Sequence, residues 1–263
     1  MNAAHSETVL ITGASSGIGL ELARCFAADG CRLVLLARNT AALEALAGEL
    51  RQAHKIETLV LTADLSRPET PARVFQELQG RGMAVDVLVN NAGFGANGTF
   101  AGLPLRRQLE MIQVNITALT ELTGLFLPGM IERRRGGVLN VGSLAGFQPG
   151  PGMAVYFATK ACVLSFTEAL AEELDDTGLT VTVLCPGPTI TNFGNVARGQ
   201  KARHLKTSKM TAEAVACYGH GAFRKGKLVA IPGWRNRFLV ILVRIIPRWL
   251  VRKIVKFYTR TKE

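Results

Sequence analysis

Short apolar runs alternate with amphipathic stretches from residue 8 to residue 184, and that order leaves few folds open. Thr8–Ile11, Arg32–Ala37, Glu57–Leu61, Val85–Val89, Gly137–Val141 and Thr180–Leu184 are short and mostly β-branched or leucine-rich. Such runs predict strands buried on both faces. Between them, Gly19–Asp29, Thr40–His54, Pro68–Gln79, Leu105–Leu125 and Val155–Asp175 carry helical spacing. Repeated strand–helix–strand order implies a parallel sheet with helices on both faces, joined by right-handed crossovers. Lys227–Ile231 is a candidate seventh strand, and Thr211–Ala222 a further helix.

The expected fold class is therefore α/β: a Rossmann-type doubly wound sheet of about seven parallel strands. With 263 residues, 48% of them hydrophobic, the chain can fill one large core. No repeat or linker divides it, so residues 1–263 are read as one domain. Regular patterning lapses after Pro186-Gly187-Pro188, which makes 189–232 a candidate substrate loop or lid. The net charge is +11, and Gly233–Glu263, with nine cations and one acid, holds +8 of it. The body is nearly balanced, so the high pI is no argument for nucleic-acid binding. Five cysteines without a CxxC spacing suggest reduced, cytoplasmic use. Four scattered histidines have no ligand spacing, so no metal is expected. The first apolar run starts at Val9, which leaves no room for a signal peptide.

Thr12-Gly13-Ala14-Ser15-Ser16-Gly17-Ile18-Gly19 lies between the first strand and the first helix. Glycines at 13, 17 and 19 let the backbone turn tightly and approach a pyrophosphate, and a helix N-terminus supplies N–H groups and a positive dipole end. The spacing is GxxxGxG rather than GxGxxG. This segment resembles the cofactor loop of the short-chain dehydrogenase/reductase family. Asn90-Asn91-Ala92-Gly93, Asn115, Ser143, Tyr156-xxx-Lys160 and Pro186-Gly187 followed by Thr191 match that family in order and spacing. The resemblance covers about three-quarters of the chain and ends near residue 192.

The second strand leads into Arg38 and Asn39. A guanidinium there suits the 2′-phosphate of NADP, whereas NAD-preferring folds place an acid. NADP(H) is thus expected over NAD(H). Asp64 and Leu65 end the third strand. In the family the matching pair lies beside the adenine, and an ordinary turn aspartate is the equally simple reading. The resemblance adds Gly13, Ser15, Ser16, Gly17, Ile18, Gly19, Asn91, Ala92, Gly93, Pro186, Gly187, Thr189 and Thr191 to the cofactor site.

Tyr156 and Lys160, four apart on a helix, share one face. With Ser143 and Asn115 they match the family's Asn-Ser-Tyr-Lys tetrad. Carbonyl reduction needs a proton donor and a second hydrogen bond at the oxygen that gains charge, which Tyr156 and Ser143 can supply. A nearby Lys160 ammonium is expected to lower the phenol pKa from about 10 and to hold the nicotinamide ribose. The resemblance implies that Asn115 positions a water relaying protons to Lys160. Gly142-Ser143 lacks the GxSxG elbow of a serine hydrolase.

Phe238–Phe257 reads FLVILVRIIPRWLVRKIVKF, with Arg244, Arg248, Arg252 and Lys256 recurring every fourth residue. Its longest uncharged run, Phe238–Val243, is too short to span a bilayer, and Pro247 should kink or divide the helix. Two uses fit: lying in an anionic membrane interface, or packing on its own domain or on a second subunit. The expected activity is NADPH-dependent carbonyl reduction, or its reverse, on a hydrophobic 3-oxoacyl, steroid-like or lipid ketone. A homodimer or homotetramer is expected, cytoplasmic or peripheral on a membrane. The rival is a non-catalytic NADP(H)-binding membrane scaffold or sensor.

Overall fold

The computed structural model describes residues 6–191 and 210–259. Six strands, β1 (Thr8–Thr12), β2 (Arg32–Ala37), β3 (Thr58–Thr62), β4 (Val87–Asn90), β5 (Gly137–Val141) and β6 (Thr180–Leu184), alternate with helices. Two further pairs of residues, β7 (Thr189–Ile190) and β8 (Met210–Thr211), pair with each other. The last strand, β9 (Val229–Ala230), joins the main sheet, which runs β3-β2-β1-β4-β5-β6-β9 with every pairing parallel.

Alternate residues of each strand enter opposite cores, as the pleat requires. Val9, Ile11, Leu33, Leu35, Val87, Val89 and Leu139 meet Leu22 and Phe26 of α1 (Gly17–Ala28), Leu43 and Leu46 of α2 (Thr40–His54), and Val215 of α7 (Ala212–Arg224). Leu10, Val34, Leu36, Leu88 and Val138 meet Val74 and Leu78 of α3 (Thr70–Gly80) and Leu122, Phe126 and Met130 of α5 (Ala118–Arg133). The expected doubly wound sheet is thus the observed one.

Strand order reverses between β1 and β4. In such sheets the crevice outside the carboxyl ends at this point is the usual ligand position. A second feature aims at the same edge. From α4 (Leu105–Ile112) to α5 the chain stays helical but widens into a π-turn at Gln113–Thr117. Wide turns of this kind often mark functional positions. The helix also runs past the expected Leu125 to Arg133, through Pro128.

The α4–α5 helix and α6 (Ala154–Glu173) are long and apolar enough, by length and composition, to cross a bilayer. Their apolar residues Leu122, Phe126, Val163 and Leu164 are nevertheless buried in the protein's own cores. The C-terminal segment divides where Pro247 predicts. Here α8 (Trp234–Ile245) ends before an extended Ile246, and α9 (Arg248–Thr259) follows. The four-residue basic stripe is therefore split, with Arg244 on α8 and the other three cations on α9. Residues 192–209 of the expected lid lie outside the described residues, as do tail residues 260–263.

Candidate active site

The glycine-rich turn is built as its sequence requires. Gly13 and Gly17 take left-handed φ values of 67° and 59°. The N–H groups of Gly13 and Ala14 both bond to the Leu36 carbonyl, at 2.7 and 3.2 Å, which ties the turn to β2. Ser15 is half-buried and Ser16 is exposed. Ser16 precedes α1 in extended conformation without capping it by its side chain, and the first turn of α1 holds no acid. Ile18 packs against the core beneath. A Cβ on Gly19 would lie 2.3 Å from Asn91 Nδ2, so only glycine fits there.

Asn91 closes the β1–β4 crevice from the other side. Its Nδ2 donates to the carbonyls of Thr12 and Gly13, at 2.9 and 3.2 Å, while the N–H groups of Asn91 and Ala92 bond to Thr12 Oγ1 at 3.0 Å each. Beneath it, Asn90 Nδ2 donates to Thr123 Oγ1 at 3.1 Å and to Asn140 Oδ1 at 2.9 Å. Asn140 Nδ2 in turn donates to Thr167 Oγ1 at 2.9 Å. This fully buried chain of amides and hydroxyls runs from α5 through β4 and β5 to α6. Asn90 lies in a recognisable motif, whereas Thr123, Asn140 and Thr167 carry no such signal in the sequence.

At the far end of the crevice Arg38 is exposed just past β2. Burial works to raise the Asp64 carboxyl, but hydrogen bonds from Ser66 and the charges of Arg38 and Arg67 prevail and hold it below its ordinary value. Leu65 is buried. Asn39 has a structural duty: its Oδ1 caps α2 by accepting the Ala42 N–H at 3.1 Å.

The four tetrad candidates converge at the carboxyl edge of β5. Ser143 follows that strand, and its Oγ accepts the Ala145 N–H at 3.1 Å. Its side chain is hydrogen-bonded to Tyr156. Lys160, buried one turn further along α6, donates through Nζ to the Val141 carbonyl at 2.7 Å. Asn115 sits inside the π-turn and is buried. Its Oδ1 accepts the Phe94 N–H, and its Nδ2 donates to the Phe94 carbonyl and to Thr159 Oγ1, at 3.1, 3.0 and 3.0 Å. Thr159 Oγ1 donates to the Tyr156 carbonyl at 2.7 Å, which links Asn115 to the tyrosine's own backbone.

Gly93 lies between these groups. A Cβ there would stand 3.0 Å from Asn115 Oδ1 and 3.6 Å from Lys160 Nζ. Around the phenol, Ala96, Met111, Ala145 and Met153 are buried, with Phe94, Leu103 and Phe157 packed against them.

Electrostatics here differ from the expectation of a lysine-acidified phenol. Burial pushes Tyr156 up to about 12, with the Ser143 hydrogen bond working against it. Burial also brings Lys160 down to about 8. Desolvation disfavours both charged forms, and it dominates both groups. At neutral pH the phenol therefore keeps its proton while the amine is still a cation.

The segment after β6 closes the site. The Pro186 carbonyl accepts the Leu144 N–H at 3.0 Å, and Thr189 Oγ1 donates to the Gly187 carbonyl at 2.9 Å. A Cβ on Gly187 would meet Asn236 of α8 at 2.8 Å. One on Gly17 would meet the Thr191 methyl at 3.2 Å, so Thr191 lies over the glycine-rich turn. The β7–β8 pairing draws the two ends of the intervening segment together.

Comparison with known proteins bears on this architecture. Residues 7–202 match the short chain dehydrogenase family. The ketoacyl reductase HetN of Nostoc is 33% identical over 218 residues, 82% of this chain and 76% of that protein. Among solved structures, a short-chain dehydrogenase from Sphingobium yanoikuyae in complex with NADPH has a TM-score of 0.82 and 35% identity, covering 92% of this chain and 96% of its own. A 7beta-hydroxysteroid dehydrogenase structure has a TM-score of 0.84 and 29% identity, covering 97% of each chain. This chain therefore belongs to the short-chain dehydrogenase/reductase family: it is an oxidoreductase that takes a nicotinamide cofactor and a small-molecule carbonyl or alcohol substrate.

Proposed function

We propose that this protein reduces hydrophobic ketones with NADPH, or oxidises the corresponding alcohols with NADP. The observation that carries the reading is the Ser143–Tyr156 hydrogen bond at the carboxyl edge of β5, with Lys160 on the same helical face. The turn fits a dinucleotide: Ser16 leaves the first N–H groups of α1 uncapped, and no acid opposes a phosphate there. Gly13 to Gly19 with Thr191 would hold the pyrophosphate, Asp64 and Leu65 the adenine, and Ala92, Gly93, Pro186 and Gly187 the nicotinamide half. Arg38 supports NADP over NAD, because its guanidinium matches a 2′-phosphate and no acid competes at that strand end.

The bound cofactor supplies the hydride, and the protein supplies the proton. Tyr156 Oη gives its proton to the carbonyl oxygen, and the Ser143 hydroxyl hydrogen-bonds the same oxygen as charge grows on it. With its phenol pushed up to about 12, Tyr156 carries at neutral pH the proton that reduction requires. The Lys160 ammonium offsets the phenolate left behind and holds the ribose hydroxyls. Asn115, having fixed Phe94 and Thr159, keeps the π-turn open toward a water that returns a proton through Lys160. The apolar wall of Met111, Met153, Phe94, Leu103 and Phe157 supports an acyl, steroid-like or other lipid ketone.

The remainder of the reading concerns surroundings. Residues 189–232 form the substrate-covering segment of a single domain. The basic apolar stretch 238–257 makes the enzyme peripheral on a cytoplasmic, anionic membrane face. The exposed stripe of Leu105, Leu109 and Ile112 on α4 supports a homodimer or homotetramer. NADPH consumption against carbonyls graded from short aldehydes to long-chain 3-oxoacyl thioesters and steroids tests the core of it. Turnover rising with apolar length is expected, and no turnover on any of them would sink the enzymatic reading.

A further inference from the structure

The two C-terminal helices α8 and α9 expose apolar side chains on a scale that a soluble surface rarely does. Trp234 is 73% exposed, Ile245 75% and Phe257 77%, with Phe238, Ile241 and Trp249 also more than half exposed. Among the described residues of α8 and α9, the fully inward-turned side chains are valines: Val240 on α8, and Val251 and Val255 on α9. Trp234, Phe238, Ile241 and Ile245 fall at i, i+4, i+7 and i+11, one continuous helical face.

Charge says what covers that face. Trp234–Thr259 holds seven cations, Arg235, Arg237, Arg244, Arg248, Arg252, Lys253 and Lys256, and no acid. Arg237 is tied down by the Ile231 carbonyl and the Tyr218 hydroxyl. Arg235 and Lys253 lie over the rings of Trp234 and Trp249, at 5.4 and 5.3 Å. A second copy of the chain docked on this face would set these cations against the same set, and such like-charge juxtaposition is costly. An anionic lipid surface satisfies both halves of the pattern: headgroups pair with the cations while the apolar face enters the acyl boundary. Spanning is excluded by length, since the 12 residues of α8 reach about 18 Å against a hydrocarbon core of about 30 Å.

Helix α8 is also rooted in the candidate active site. Asn236 of α8 covers Gly187 and donates to the Pro232 carbonyl at 2.7 Å. The same helix packs against the Leu144–Phe147 turn that Ser143 caps. We infer that α8–α9 seats the protein on anionic bilayers with the cleft beside the lipid, so that a membrane-dissolved ketone reaches Tyr156 along α8 without crossing water. The seating deepens the peripheral-membrane reading above and stands on α8 and α9 alone. The route rests on the carbonyl-reductase reading above.

The test is co-sedimentation of the full-length protein with vesicles of phosphatidylcholine alone or mixed with phosphatidylglycerol. Binding to the anionic vesicles is expected to exceed that to neutral ones at least tenfold, and to weaken with salt. It should fall at least tenfold in Phe238→Ser/Ile241→Ser/Ile245→Ser, and also in Arg248→Glu/Arg252→Glu, with the circular dichroism of both unchanged. Equal binding to both vesicles, no binding, or full retention by both variants overturns the seating. So does loss of a dimer in the same variants without any vesicle effect, which would make the face a contact between copies. For the route, anionic vesicles should raise kcat/KM for a long-chain ketone and leave a short water-soluble aldehyde unaffected, and equal effects on both overturn it. Vesicle binding without turnover on any carbonyl would leave the seating standing and remove the reductase reading.

Discussion

Asn115 grips Phe94 by both of its backbone groups, accepting from the N–H at 3.1 Å and donating to the carbonyl at 3.0 Å. The loop after β4 is thereby fastened to the π-turn, with the Lys160 ammonium beside both. Replacing Asn115 by leucine strands the half-buried N–H and carbonyl of Phe94, each costing about 1 kcal/mol, the low end for an unpaired group. Urea unfolding should report a loss of that order, together with weakened turnover. Wild-type stability in Asn115→Leu would mean that the clamp does not hold the loop.

Tyr156→Phe removes the transferable proton and keeps the ring's place among Met111, Met153 and Phe157. Turnover should drop by about 10²–10⁴-fold, with NADPH affinity, read by fluorescence, little changed. A variant that keeps most of its rate removes Tyr156 from the role of proton donor.

Arg38→Asp exchanges a phosphate-matching cation for a phosphate-repelling anion at an exposed position. Charged hydrogen bonds are worth about 1.5–3 kcal/mol, so the ratio of NADPH to NADH efficiency should fall about 10- to 100-fold. Unaltered selectivity would place the 2′-phosphate elsewhere.

Two groups bear on the pH profile, and their order decides its shape. Tyr156, pushed up to about 12, stays protonated throughout the working range, while Lys160, brought down to about 8, gives up its charge first. Its cationic form is present below that value and is lost as pH rises through it. Carbonyl reduction and cofactor affinity should therefore decline together from about pH 8 upward. Stopped-flow kcat/KM and NADPH titrations across this range check the point, and a rate that holds flat to pH 10 contradicts it.

Much of the architecture was legible because buried parallel strands leave a plain signature. Arg32–Ala37, Gly137–Val141 and Thr180–Leu184 stand where the apolar runs predict them. The Gly13, Gly17 and Gly19 positions are equally readable, since φ values of 67° and 59° or a 2.3 Å clash leave room for nothing larger. Harder to read was α5, where Pro128 looks like a terminator and the helix nonetheless continues to Arg133. The π-turn at Gln113–Thr117 has no local code, because tertiary packing rather than propensity opens it. Asn140, Thr123 and Thr167 escaped notice for a related reason: a buried amide partnered by hydroxyls on two helices is a product of folding, not of spacing. The raised Tyr156 phenol was also out of reach, since desolvation depends on what surrounds a ring and not on the lysine four residues away.

The π-turn amounts to one surplus residue accommodated within a helix, and this uncouples its two halves. Upstream, Leu105, Leu109 and Ile112 face outward; downstream, Leu122, Phe126 and Met130 face the sheet. Each half can drift in composition without rotating the other. Shortening the loop of backbone by a single residue would turn Asn115 roughly 100° about the axis, so this stretch should tolerate point changes far better than deletions.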